Sequence, residues 1–136
     1  MASAELIYLG AAGDEPDEPL RLDGEALATG ARIPLERRRS PWNARRVVQR
    51  VIVGCLPTRS DVFLEGEGIC PEHLRFYVPA ELDEGQEFEM RPMKESMTWF
   101  NGQLLEELAW IKVRGGEEIG IGPWRFELRV RVDTSN

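Results

Sequence analysis

The clearest signal in the chain is an alternation of apolar and charged residues with a period of two. Between residues 124 and 132, apolar side chains at even positions alternate with Arg or Glu at odd positions. Successive side chains of a β-strand point to opposite faces, so this segment is predicted to be a strand with one face in a core. Phe88 and Met90 alternate with glutamates in the same way. Apolar runs predict further strands at 51–53, 61–64, 74–78, 110–113 and 119–121, and the aromatic residues Trp99, Phe100, Trp110, Trp124 and Phe126 are expected mainly in the core.

Turn-forming residues separate these segments at short intervals. Asn101-Gly102 readily adopts the positive φ angles of a tight hairpin and is predicted to form one. Prolines at 16, 19, 34 and 41 disfavour long helices in the first third, where short strands joined by long loops are expected. The segment 103–109 is the best helix candidate, and a strand fits it equally well. Many short strands with regular turns predict an all-β fold, an antiparallel β-sandwich.

Composition places the chain among globular proteins of one domain. Its 136 residues are 42% hydrophobic and 30% charged, which suffices for a core and is too apolar for disorder. Two cysteines exclude a disulfide-rich scaffold and a four-cysteine zinc site. The first ten residues lack the basic start of a secretory signal, and no apolar run approaches the ~20 residues of a membrane-spanning helix. We therefore expect a cytoplasmic protein without membrane insertion, whole or part of a longer chain.

Charge is unevenly distributed along the chain. The formal net charge of −7 predicts a surface that repels nucleic acid and anionic lipid over most of its area. Residues 32–50 run against this trend, with seven arginines and one acid. These arginines are expected to pair with the acidic surface of their own domain or to hold an acidic protein partner, with nucleic acid the least favoured ligand. The basic arm is defined by Arg37, Arg38, Arg39, Arg45 and Arg46.

Five short motifs follow one another in an order that one family shares. Val51 to Gly54 is an apolar run that ends in glycine, and Ser60-Asp61 begins the next apolar run. Then come Gly-Ile-Cys-Pro-Glu-His-Leu-Arg-Phe at 68–76, Thr-Trp-Phe-Asn-Gly at 98–102 and Gly-Gly-Glu-Glu-Ile-Gly-Ile-Gly at 115–122. This order resembles the forkhead-associated (FHA) domain, over roughly residues 47–132.

The resemblance implies two packed antiparallel sheets with the ligand held by loops at one end. Most FHA domains bind phosphothreonine peptides and have no catalytic activity of their own. On this basis the chain divides into three parts. Residues 1–46 hold N-terminal strands and an Arg-rich loop packed on the sandwich, residues 47–132 form the FHA-like sandwich, and residues 133–136 are a tail.

The residues with which the family binds phosphate are replaced in this chain. The family's arginine after the glycine corresponds to Cys55, its phosphate-binding serine to Cys70, and its ligand-binding asparagine to Ser96. Thr98 and His73 are retained, and the resemblance implies that the histidine organises the loops. A charge-assisted Arg–phosphate contact is about twice as strong as a neutral hydrogen bond. Without these groups, an acidic domain is predicted to have lost ordinary phosphothreonine recognition.

The expected function is a non-catalytic protein–protein interaction module: a phosphate-independent adaptor in a bacterial signalling or secretion assembly, with no cofactor. In the alternative, Arg59 replaces the missing arginine, assisted by Lys94, and the protein partner is phosphorylated. Trp99, near the presumed loops, is a candidate anchor for a partner. The candidate ligand-binding residues are Cys55, Thr58, Arg59, Ser60, Cys70, His73, Lys94, Ser96, Thr98, Trp99 and Asn101.

A further alternative uses the two cysteines. The resemblance implies that Cys55 and Cys70 lie together at the loop mouth, as a redox-sensitive disulfide or, with His73, as a metal site. The competing interpretation is two small buried apolar side chains. Residues 70–73 also place a thiol, a carboxylate and the only histidine side by side, but catalytic partners usually meet from distant positions. No phosphate-binding glycine loop or nucleophile elbow occurs, so no enzymatic activity and no resident metal are expected.

Overall fold

The computed structural model describes residues 2–14, 16–38 and 48–132. The regular elements in these ranges are all strands, and no helix long and apolar enough to cross a membrane occurs among them. In chain order the strands are β1 (Ala2–Ala11), β2 (Arg21–Leu22), β3 (Glu25–Ala26), β4 (Arg32–Pro34), β5 (Val48–Gly54), β6 (Val62–Glu65), β7 (Leu74–Pro79), β8 (Phe88–Pro92), β9 (Thr98–Phe100), β10 (Gln103–Leu104), β11 (Ile111–Val113), β12 (Glu118–Ile121) and β13 (Trp124–Val132).

Two sheets pack face to face, which confirms the all-β sandwich. One has six strands in the order β10-β9-β12-β13-β1-β4, and the other has seven in the order β11-β8-β7-β5-β6-β2-β3. Among the described pairs, β5 and β6 depart from the expected antiparallel pattern because they run parallel. They overlap only where Val53 pairs with Val62 and Gly54 with Phe63. Because the overlap is this short, the chain needs no long crossover between the two strands.

The core lies between the sheets and is filled by alternate side chains. Trp124, Phe126 and Leu128 of β13 are buried, as the period of two predicts. Trp110 was expected in the core, and this expectation is wrong, since its side chain is 52% exposed. It lies just before β11, an edge strand, where its ring contacts Tyr77 at 4.8 Å between centroids and lies 5.0 Å from the Arg91 guanidinium.

The N-terminal third contributes strands to both sheets. β1 spans ten residues, longer than the short strands expected there, and pairs with β13 from Ala2 opposite Val132 to Ala11 opposite Trp124. β4 lies on the other side of β1. Leu6 of β1 and Ile33 of β4 are buried in the same cluster as the β13 side chains. Residues on both sides of position 46 therefore build one continuous core.

The predicted hairpin is present where the sequence placed it. Asn101 and Gly102 have φ angles of 48° and 82° and join β9 to β10. Gln103 and Leu104 form a short strand rather than the start of a helix, because they pair with Phe100 and Trp99 across this turn.

Candidate functional site

Four loops meet at one end of the sandwich and are joined by main-chain hydrogen bonds. The Cys55 N–H donates to the Cys70 carbonyl at 3.0 Å, which joins the loop 55–61 to the loop 66–73. The Met93 N–H donates to the His73 carbonyl at 3.0 Å, and the Gly122 N–H to the Met97 carbonyl at 2.8 Å. The loops 93–97 and 122–123 thereby join the same surface, which we call the loop end.

Gly54 allows two of these loops to approach closely. A Cβ atom at this position would lie 2.0 Å from the Pro71 carbonyl oxygen, closer than any real contact. The same oxygen accepts hydrogen bonds from the Leu56 N–H at 3.3 Å and the Ser60 hydroxyl at 3.5 Å. Ser60 is buried, so its hydroxyl holds the loops together and does not face a ligand.

His73 is fully buried and uses both ring nitrogens inside the fold. Nδ1 accepts a hydrogen bond from the Cys70 N–H at 3.1 Å, so Nε2 carries the proton and donates to the Met97 carbonyl at 2.8 Å. Burial lowers the pKa of His73 and keeps the ring neutral. With both nitrogens engaged, His73 has no lone pair free for a metal, which argues against the metal alternative. The described part of the chain contains no group of three or more His, Cys, Asp or Glu suited to hold a metal ion.

Cys55 and Cys70 are neighbours, because the Cys55 N–H donates to the Cys70 carbonyl, and both are free thiols. The Cys55 Sγ donates to the Ile69 carbonyl at 3.3 Å, and the Cys70 Sγ to the Glu95 carbonyl at 3.6 Å. Burial, together with the nearby Cys55 and Glu95, raises the pKa of the Cys70 thiol. This environment favours the protonated thiol over the reactive thiolate.

The hydroxyls of Ser96 and Thr98 are also directed into the protein. Both residues are buried. The Ser96 hydroxyl donates to the Met93 carbonyl at 2.7 Å and lies 3.2 Å from the Thr98 hydroxyl. This pair stabilises the turn 93–96, and together with Ser60 and His73 it supports the loops from within.

The remaining candidates divide between the loop end and its surroundings. Thr58, Arg59 and Lys94 are exposed there, and within the described ranges neither Arg59 nor Lys94 has an ion pair. Asn101 lies elsewhere, at the far end of β9 from Thr98, because the hairpin begins where the strand ends. Its side-chain oxygen accepts a hydrogen bond from the Glu118 N–H at 2.8 Å, which fixes the hairpin to β12.

A groove of about 650 Å³ runs beside the loop end. Of the residues that line it, only Trp99 was among the candidates predicted from the sequence. The Trp99 side chain lies over Gly120, where a Cβ atom would be 2.7 Å from the Trp99 Cβ. Met97 and Pro123 line the groove at the loop end. Glycine inside a strand often marks a site where another group approaches the main chain closely. Gly120, within β12, was therefore the feature of the sequence that could have indicated the groove.

Arg38 of the basic arm is bound to its own domain. The Arg38 guanidinium pairs with Asp23 at 2.6 Å, and the Arg38 N–H donates to Oδ1 of the buried Asp61 at 2.8 Å. Arg37 is half-buried. Arg39, Arg45 and Arg46 lie outside the described residues.

Comparison with known proteins identifies the fold. No family model and no curated protein matches the sequence. Solved structures do match over almost the whole chain. The FHA domain of the CT664 protein from Chlamydia trachomatis matches with a TM-score of 0.60 and 16% identity, over 98% of this chain and 99% of that one.

Two eukaryotic structures match in the same way. The N-terminal FHA domain of Rad53p from S. cerevisiae, solved with a phosphothreonine peptide, matches with a TM-score of 0.60 and 15% identity, over 95% of this chain and 94% of that one. The FHA domain of a hypothetical protein from Arabidopsis thaliana matches with a TM-score of 0.63 and 13% identity, over 100% of this chain and 92% of that one. Identities this low establish likeness of fold alone. The chain, with its N-terminal third included, thus has the fold of the forkhead-associated domain.

Proposed function

We propose that the chain is a non-catalytic protein-interaction module that binds its partner at the loop end without requiring phosphate. The observation that carries the proposal is the state of the two thiols. By the sequence resemblance, Cys55 and Cys70 correspond to the phosphate-binding arginine and serine of the FHA pattern, and their thiols donate to main-chain carbonyls. The neighbouring hydroxyls of Ser96 and Thr98 are bonded to the protein itself. None of these four groups offers a charge or a free donor to a phosphate.

The fold supports a protein as the partner. The Rad53p domain was solved with a phosphothreonine peptide, and one of the structural neighbours comes from a bacterium. The setting that we propose is a cytoplasmic signalling or secretion assembly, with this chain as an adaptor.

The test is capture of the partner by the full chain from an extract of its own cells, with and without phosphatase treatment. We expect the same partner in both samples. Loss of the partner after phosphatase treatment would overturn phosphate independence. Loss of capture in both samples after Thr58→Arg at the exposed loop end, with retention after Ser3→Arg near the start of β1, would confirm that this end makes the contact.

The second candidate function is phosphothreonine recognition through Arg59 and Lys94. It is favoured by one observation: both side chains are exposed at the loop end and lack ion pairs in the part of the chain described. If they bind phosphate, Arg59→Ala will weaken a phosphothreonine peptide about tenfold or more, because a charged contact contributes about 1.5–3 kcal/mol. Arg131→Ala, at an exposed arginine at the far end of β13, is the matched control. Equal peptide binding by both variants would exclude this candidate.

A further inference from the structure

The groove beside the loop end is built on the outer face of the six-stranded sheet. Trp99, Gly120 and Arg125 are register partners on β9, β12 and β13. Their neighbours along the strands, such as Ile121 and Trp124, are buried in the core. Since successive side chains point to opposite faces, the row that contains Trp99 faces away from the core.

The lining of the groove is largely apolar and is held in place. Trp99 lies along one side over Gly120, and Met97, which is 49% exposed, lies at the loop end. The buried Trp124 indole N–H donates to the Glu67 carbonyl at 2.9 Å and fixes the turn that forms the opposite wall. With a volume of about 650 Å³, the groove has room for a large apolar side chain.

The charges around the groove are predominantly acidic. Arg125, its one lining cation among the described residues, is neutralised by Glu118 at 2.6 Å. Asp14 and Glu67 line the groove, are exposed, and have no ion pair within the described ranges.

An adjoining depression extends this acidic surface. It shares Pro16 and Glu67 with the groove. Its other charged lining residues are Asp17, Glu18 and Glu65, with Arg21 as the cation. The Arg21 guanidinium is bound to the Gly24 carbonyl at 3.3 Å, so its donors are partly used.

We infer that this groove binds a basic segment of a protein partner, in which arginine or lysine stands next to a large apolar side chain. The apolar side chain packs against Trp99, and the cations meet Asp14 and Glu67 at the rim. A phosphorylated or acidic segment is disfavoured, because it brings like charge to these carboxylates. The inference rests on the proposed function, and it specifies that the partner of the interaction module presents a basic segment to the groove.

The experiment is an NMR titration of the isotope-labelled full chain with a synthetic peptide. The probe is an unphosphorylated peptide with arginines on both sides of a Leu-Trp pair. In two matched peptides, either glutamates replace the arginines or a Ser-Gly pair replaces Leu-Trp. We expect the first peptide to shift the Gly120 amide and the Trp99 indole N–H, and to bind several-fold more weakly as salt rises from about 50 to about 300 mM. Shifts confined to other surfaces, or equal shifts with the glutamate peptide, would overturn the inference.

A charge reversal tests the same surface without disturbing the fold. Glu67→Lys, at an exposed residue, should weaken the arginine peptide at least tenfold. Glu84→Lys, in the exposed turn between β7 and β8, changes the net charge equally and should leave binding within twofold of the parent chain. Equal weakening by both variants would mean that net charge alone attracts the peptide, which contradicts a site in the groove.

The outcomes distinguish the groove from the proposed function. The probe carries no phosphate and needs no natural partner, so its result does not depend on the phosphatase experiment. If the extract partner is captured equally by the parent chain and by Glu67→Lys, the interaction module stands and the groove is not its binding surface. If capture requires phosphate while the arginine peptide still shifts Gly120, the groove stands and phosphate independence fails.

Discussion

His73 shows how one residue connects most of the loop end. Its ring forms hydrogen bonds with the Cys70 N–H and the Met97 carbonyl. Its main-chain N–H donates to the Val53 carbonyl at 2.9 Å, and its main-chain carbonyl accepts a hydrogen bond from the Met93 N–H. The FHA resemblance predicted that this histidine organises loops. The sequence did not predict that both ring nitrogens are engaged, because their partners are main-chain groups up to 24 residues away.

The lowered pKa of His73 predicts a pH dependence of stability. An unfolded chain protonates this histidine near its ordinary pKa of 6.5, whereas the folded protein resists the proton. The contribution of His73 to the free energy of unfolding is therefore complete above pH 6.5. As the pH drops below 6.5, this contribution falls by at most about 1.4 kcal/mol per pH unit. Urea unfolding between pH 5 and pH 7 measures this slope.

The control for this prediction is His73→Gln, whose amide donates to the same carbonyl and does not titrate. This variant should be less stable at pH 7, because the Cys70 N–H loses its acceptor, and its stability should vary less across the same pH range. Identical slopes in the two proteins would assign the pH dependence to other groups.

Gly54→Ala should destabilise the loop end by about 3 kcal/mol. The added Cβ clashes with the Pro71 carbonyl, a main-chain atom that moves only if the bonds to Leu56 and Ser60 also move. Gly24→Ala is the control, since nothing lies within 4 Å of its Cβ and its φ of 85° costs only about 1–2 kcal/mol in backbone strain. Thermal melts of both variants give the comparison, and equal losses would contradict the steric explanation.

Among the elements, most strands after residue 48 were predicted from alternation or from apolar runs, whereas the long strand β1 was not. β7, β8 and β13 alternate in burial and were recognised from their period of two. β1 lies between β13 and β4 in its sheet, and Ile7, on the opposite side of the strand from Leu6, is buried as well. Consecutive apolar residues remove the alternation, and β13, the partner along the full length of β1, lies about 120 residues away in sequence.

Asp61 joins the described end of the basic arm to the parallel strand pair. Its Oδ2 accepts from the Ile52 N–H and its Oδ1 from the Arg38 N–H, each at 2.8 Å. Asp61→Ala should cost about 3 kcal/mol of unfolding free energy, because two main-chain donors lose a charged acceptor. Asp17→Ala, at an exposed acid, should change little. Urea midpoints measure both, and a loss below about 1 kcal/mol for Asp61→Ala would contradict this role.

At the scale of the whole molecule, the strands of the first 34 residues share one core with the later strands. Leu6, Leu20 and Ile33 lie in the core cluster with Phe76 and Phe126. The order of motifs predicted the sandwich and the loop end. It did not predict the groove, because its walls come from segments near residues 14, 67, 97 and 120 that meet only in the folded chain.

A fragment of residues 47–136 should therefore fail to fold. Without β1, the six-stranded sheet loses the partner of β13 along its full length, and the β13 side chains lose part of their core. Circular dichroism and amide chemical-shift dispersion measure this. Residues 1–132 form the control and should fold like the full chain. A cooperative melt of the shorter fragment would contradict the prediction and support a boundary near residue 46.

The pairing of β1 with β13 also determines how the module can be held. Ala2 lies opposite Val132, whereas Ala11 and Trp124 lie next to the loop end. About eight residues of strand, or roughly 27 Å, thus separate the Ala2 and Val132 ends of the two strands from the surface at which we propose that the partner binds. A tag, a sensor surface or another domain attached beside Ala2 or Val132 therefore lies at the opposite end from the loops and the groove, and it leaves both accessible to a partner.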